Sequence, residues 1–319
     1  MVSAGLLAFA IVLAVLAPRI VGAAWADRAP RLAVCAWQAT SVGIVLATVL
    51  AGLALLVPAT AISGGLAAFL DACATTIANV YSSPGQVPGI VLGGLLAVVV
   101  PSRLAIVTVR QVRCDRLERR RLRSSVRLGA HPSSFLGAHV VDSSQAAAFC
   151  IPGRHRMIVL TSGALEGLSD EELAGVLAHE RAHLRGRHHL PVTAARILGR
   201  AFPRLPVFAH ARAETERLVE LLADDAAACE VDRVEVASAL VSLAGMKAPA
   251  VVMAAAQAAG AVRVNRLLRP VQPLAPIHGF LAVVTAASVA AAPLAVALWP
   301  LLSAASSGLC LLPGEAWWA

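Results

Sequence analysis

Charge is scarce in this chain. Asp, Glu, Lys and Arg make up 14% of its 319 residues, where a soluble globular protein carries about 25%. Residues of apolar type make up 58%. That balance excludes an ordinary soluble domain and implies a chain largely embedded in a bilayer. Lysine is nearly missing: Lys247 is alone among 27 basic residues. Aromatic residues are 4% of the chain, with Tyr81 the single tyrosine. A base-stacking nucleic-acid surface needs interleaved aromatics, so the net charge of +8 is not read as a nucleic-acid signal. The six cysteines contain no CxxC pair, which argues against a cysteine-based zinc site or a redox pair. No repeat or coiled-coil period is visible.

What is there begins with long apolar runs. Residues 2–17, 32–57, 88–109 and 274–302 are each taken as a transmembrane helix. A secretory signal peptide is the rival reading of 2–17, but no positive segment precedes it and further spans follow. Lys and Arg occur only within 19–31 and 103–269. The positive-inside rule then places the 18–31 loop and the large segment after span three in the cytoplasm. The N-terminus, the 58–87 loop and the C-terminus face outside, and the multi-pass chain sits in the cell membrane. The expected organisation is three spans in 1–110, a cytoplasmic domain in 111–272, a fourth span in 273–302 and a short external tail in 303–319. Arg103 sits where it can snorkel to the interface. The arginine-rich run from Arg110 to Arg127 reads as a juxtamembrane helix resting on anionic lipid. Cys73 and Cys310 are the two cysteines on the oxidising face and are expected to form a disulfide.

Chemistry concentrates at Ala178-His179-Glu180-Arg181-Ala182-His183. Two histidines four apart lie on one face of a helix, where both imidazoles can hold one zinc ion while Glu180 addresses a water. The helix is well signalled. Ser169 and Glu172 form a capping box, Asp170 and Glu171 fill the first turn, and Gly186 is a plausible stop.

A catalytic zinc needs a third protein ligand. The segment 211–230 reads as a helix on which Glu220 and Asp224 share a face. Glu220 is the candidate ligand, and Asp224 is the candidate partner for the outer N–H of a zinc-binding histidine. Glu214, Glu216, Asp225 and Glu230 compete for the ligand role. His188 and His189 fall off the i+4 spacing and read as surface or interfacial residues, not ligands. Arg263 and Arg266, just before the last span, read as interfacial charges or as contacts to a substrate carbonyl or the carboxylates. Upstream, Ala147–Ile151 and Met157–Leu160 look like two short strands joined through a turn at Pro152-Gly153. A strand beside a zinc helix can bind an extended peptide by adding it as another strand.

These residues carry a resemblance. Ala148-Phe149, Pro152-Gly153, Val159-Leu160-Thr161-Ser162-Gly163-Ala164-Leu165, Asp170-Glu171-Glu172-Leu173 and Leu177-Ala178-His179-Glu180 with His183 resemble integral-membrane gluzincins of the CAAX prenyl protease and heat-shock membrane protease group. The four-span layout is more similar to the BlaR/MecR-type β-lactam-sensing metallopeptidases. The resemblance implies a mainly α membrane protein, with a cytoplasmic gluzincin-like domain of helices and a small β-sheet between spans three and four. It implies one Zn2+ per chain on His179, His183 and Glu220, with Glu180 catalytic, Asp224 supporting, and Arg266 as the nearest match to a recurrent arginine contacting substrate or transition state. The implied activity is zinc endopeptidase, with a peptide or protein substrate such as a transcriptional repressor and no direct nucleic-acid binding. A quality-control protease and a non-catalytic metal-binding sensor or scaffold are the alternatives. BlaR-type transducers carry an external penicillin-binding sensor after span four, and 17 residues are left here, so that sensor is expected to be missing.

Overall fold

The computed structural model describes residues 2–22, 24–56, 87–133, 137–246, 253–269 and 274–308. The expected Cys73–Cys310 disulfide lies outside these residues.

Among the described residues, four helices are long and apolar enough to cross a membrane: α1 (Val2–Ile20), α3 (Pro30–Leu56), α4 (Val87–Gly129) and the Pro276–Trp299 part of α11 (Pro276–Gly308). The short helix α2 (Trp25–Arg28) lies between the first two. The chain divides into two compact units. One gathers the described residues of Met1–Val21, Cys35–Val107 and Phe280–Ala319; the other combines Gly22–Val34 with Thr108–Gly279.

In the apolar unit, helices approach through glycine. A Cβ on Gly52 of α3 would meet Leu96 Cβ at 2.7 Å, and one on Gly93 of α4 would meet Gly52 O at 3.0 Å. Without a hydrophobic drive between helices in lipid, close backbone contact at small residues supplies the packing. The π-helical turn Leu95–Val99 of α4 lies at this crossing. Helix α4 runs unbroken from its apolar part through the arginine-rich stretch to Gly129.

The second unit holds the sheet and the remaining helices. Strands β1 (Ala130–Ser133), β2 (Ala138–Val141), β3 (Ala148–Ile151) and β4 (Met157–Thr161) are ordered β1-β2-β4-β3. The β1–β2 and β3–β4 pairs are antiparallel, and β2–β4 is parallel. The uninterrupted apolar run of β4 suits its central place, where all five residues are buried. Strand β3 is at the edge. Helices α5 (Ser162–Gly167), α6 (Asp170–Arg185), α7 (His189–Ala201), α8 (Pro206–Ala227), α9 (Arg233–Met246) and α10 (Met253–Leu268) complete the unit.

The core forms where the sheet meets α6. Leu173, Val176 and Leu177 pack on Ile158 and Leu160. Behind α6, Ala178 joins Ala227, Val236, Ala237 and Leu267 from α8, α9 and α10. Small residues on α6 let these helices come close, which brings α6 and α8 within side-chain reach of each other. The expected strand pair at 147–151 and 157–160 is present. Two more strands precede it.

Candidate metal centre

Helix α6 starts as its sequence dictates. Ser169 Oγ accepts from the Glu172 amide at 3.2 Å, and Glu172 Oε2 accepts from the Ser169 amide at 3.1 Å. Counting from this fixed start, His179 and His183 fall on one face. Their Nε2 atoms are 3.1 Å apart. Helix α8 begins at Pro206, whose missing N–H costs nothing in the first turn, and presents Glu220 opposite. Glu220 Oε2 is 3.5 Å from His179 Nε2, and Oε1 is 3.5 Å from His183 Nε2. Three donor atoms from these residues lie within 4.8 Å of one another.

These separations fit a shared ion. A tetrahedral zinc with bonds of about 2.0–2.1 Å spaces its ligands about 3.3 Å apart, and the observed edges bracket that value. Two nitrogens and one oxygen are also a donor set zinc takes in catalytic sites, leaving a fourth position open.

The outer nitrogens of both histidines have partners too. His179 Nδ1 lies 3.0 Å from Asp224 Oδ1, at an angle short of a straight hydrogen bond. Asp224 is 1% exposed, and a carboxylate so buried requires compensation. Arg263 of α10 supplies it, donating from Nε at 2.7 Å and Nη2 at 2.6 Å to the two carboxylate oxygens. Arg263 Nη1 is 3.1 Å from Glu220 Oε2. The Nδ1 atom of His183 is 3.1 Å from His188 Nδ1.

Protonation follows from these contacts. Burial pushes His179 down, but its acceptors Asp224 and Glu220 more than offset this and carry it to about 9. Burial, with His179 beside it, pushes His183 down to about 4. Burial, with His183 next to it, does the same to His188. Burial raises Asp224 and Glu220, but for Asp224 the Arg263 bonds and for Glu220 the His179 bond outweigh it, holding both below the usual carboxylate range. A metal and a proton therefore compete for His179.

Glu180 stands beside His179 on α6. The Cys150 thiol, reaching over from β3, hydrogen-bonds the Glu180 carboxylate; burial, reinforced by that negative charge, pushes the thiol pKa well up. The edge strand thus lies next to the candidate base. A cleft of about 630 Å³ opens here, with Cys150, His183, His188 and Glu220 on its wall.

The other candidates divide. Glu216 pairs with Arg196 and Arg212, Glu214 with Arg217, and Glu230 with Arg185. Arg266 donates to both oxygens of Asp225, at 2.6 and 2.8 Å, and to the Asp27 carbonyl at 3.1 Å. Arg263, one turn earlier, is the arginine beside Glu220 and Asp224. His188, read from its spacing as a surface or interfacial residue, is half-buried and packed edge-on against His183, with ring centroids 4.9 Å apart.

Comparison with known proteins bears on this domain. Residues 113–226, from α4 through the ligand-bearing part of α8, match the model of peptidase family M48. Over that segment the chain is similar to peptidase family M48. Peptidases of this family are zinc metalloproteases, and the His179, His183 and Glu220 group is compatible with that. A 66-residue stretch is 42% identical to a protease HtpX homolog of Acidiphilium cryptum (strain JF-5), covering 20% of this chain and 23% of that protein. The chain thus spans about a quarter of the length of that curated relative. No solved structure matches. The match places the likeness to M48 peptidases in the polar segment, beside four helices apolar enough to cross a membrane.

Proposed function

We propose that this chain is a membrane-anchored zinc endopeptidase acting on a cytoplasmic or membrane-proximal protein. The observation that carries the reading is the His179, His183 and Glu220 triangle, with donor edges of 3.1 to 3.5 Å, next to a carboxylate left off the triangle, Glu180. A purely structural metal site has no use for such a base.

One zinc per chain would be held by His179, His183 and Glu220. When bound, zinc polarises the scissile carbonyl and makes a nearby water more acidic. Asp224 holds the outer nitrogen of His179, and Arg263 keeps Asp224 and Glu220 ionised. Glu180 takes the proton of the attacking water and returns it to the leaving amine, so that water adds across the peptide bond and the base is regenerated. The free edge of β3 receives the substrate as an extended strand. By resemblance to BlaR/MecR-type proteases, the substrate is a cytoplasmic regulator such as a repressor, which makes the cleavage a signalling event.

Glu180→Gln tests this. The detergent-purified variant should keep about one zinc per chain while proteolysis falls by roughly 10²–10⁴-fold. His179→Ala and Glu220→Ala should lose the zinc. The inactive Glu180→Gln chain should also retain its substrate in cells: a single captured regulator supports signalling, and a broad set of damaged membrane proteins indicates quality control. Wild-type proteolysis by Glu180→Gln would end the enzyme reading.

A further inference from the structure

Every neutral zinc-bound histidine has a second nitrogen whose proton must go somewhere. Its partner fixes the tautomer and the ring orientation, and so the strength of the metal bond. For His179 that partner is Asp224. We infer that His188 is the corresponding partner of His183: a positioning residue that accepts the His183 Nδ1–H through its own Nδ1. This rests on the zinc reading above and goes beyond it.

The direction of the bond follows from the metal. His183 Nε2 faces His179 and Glu220, so a bound ion needs the lone pair of that nitrogen, and the ring proton moves to Nδ1. The atom 3.1 Å away is His188 Nδ1, which must then be bare and accept. His188 is among the three described histidines joined in this chain of contacts, and its Nδ1 points at a histidine rather than into the donor triangle.

Three local features place the ring there. Helix α6 stops at Arg185, and Arg187 takes a left-handed φ of 49°, an uncommon conformation for a non-glycine residue. That turn brings the chain back so that the His188 amide donates to the His183 carbonyl at 3.2 Å. Gly186 makes room: a Cβ on it would collide with Nε2 and Cδ2 of the His188 ring. Gly186 itself has φ −72° and ψ −7°, a backbone open to any residue. The imidazole is the nearest obstacle to a side chain there, with the Ala182 carbonyl next at 3.1 Å.

The experiment is a zinc-affinity titration against a competing chelator, run on the full chain in detergent and paired with the visible spectrum of the cobalt-substituted protein. His188→Phe keeps a ring but cannot accept, and should bind zinc about 10–100-fold more weakly, with a shifted cobalt spectrum. His188→Asn places an acceptor oxygen where Nδ1 was, and should recover most of that loss. Gly186→Ala, whose Cβ displaces the His188 ring, should weaken zinc like His188→Phe while the chain still folds, because the Gly186 backbone is one that alanine adopts. Wild-type affinity in His188→Phe would overturn the role, as would equal weakness in His188→Phe and His188→Asn, which points to ring packing alone. Loss of one histidine from the cobalt coordination shell in His188→Phe would make it a ligand and overturn the role as well. A wild-type chain that takes up no zinc is a different failure: it removes the zinc reading first.

Discussion

At the residue scale, two arginines three apart do different things. Arg263 lies against a carboxylate that is 1% exposed, Asp224, and also reaches Glu220. Arg266 binds Asp225, whose side chain is 38% exposed. Removing the partner of a buried carboxylate strands its charge and costs about 3–5 kcal/mol, whereas a carboxylate as exposed as Asp225 keeps its contact with water when its arginine is removed. Arg263→Gln should therefore lower stability by several kcal/mol and weaken zinc binding, because Asp224 loses the cation that holds it in place against His179. Arg266→Gln should leave zinc affinity near wild type. Thermal melts and zinc titrations of the two variants check both halves. Equal loss of metal in both variants would mean that Arg266 also serves the centre. Position along the chain did not separate these residues: both precede the last span, and only the turn of α10 decides which one faces α8.

At the element scale, one carboxylate both starts α6 and ties it to α9. Glu172 caps Ser169, and its Oε1 accepts from Ser238 at 2.6 Å and from Ser242 at 2.8 Å. The Ser238 and Ser242 hydroxyls hold its pKa below the ordinary 4.5. A carboxyl with a depressed folded pKa gives stability that is complete above the unfolded value and is lost as pH falls through the folded one. Glu172→Gln should thus cost about 1 kcal/mol at pH 7, with the gap to wild type closing below about pH 4.5. Melting curves at pH 7 and pH 4 measure it; a gap that widens in acid would contradict the assignment. This cap was legible in the sequence because its parts are three residues apart, and so were the i+4 pairs His179/His183 and Glu220/Asp224. Local periodicity also gave β3, β4 and the apolar helices. What escaped depends on geometry that spacing does not encode. His188 reaches His183 only through a left-handed Arg187 and a bare Gly186. Arg263 meets Asp224 across 39 residues of chain. Strands β1 and β2, with Pro132, His131 and His139 in them, carry no clean alternation and owe their pairing to β4.

At the scale of the whole molecule, the polar unit recruits a piece from far away in the sequence. Residues Gly22–Val34, between the first two apolar helices, group with Thr108–Gly279. Asp27 anchors them: Arg217 Nη1 lies 2.6 Å from its carboxylate, and Arg266 binds its carbonyl. If α1, α3, α4 and α11 all span the bilayer, this contact requires the 18–31 loop and the peptidase domain to share one side. Even passage through the membrane between them, out along α3 and back along α4, satisfies that requirement. Both segments are also where the arginines lie, and positive charge marks the cytoplasmic side. We therefore expect reporters fused after Arg28 and after Val231 to behave as cytoplasmic, and one fused after Gly314 as external. Asp27→Ala should leave this topology intact, since the charge bias and the spans set it, while exposing Arg217 and Arg266 and lowering thermal stability modestly. Fusions after Arg28 and Val231 that report opposite sides would contradict both the orientation and the Asp27 contact. Both reporting outside would overturn the orientation alone, and the candidate metal centre would then face away from the cytoplasm.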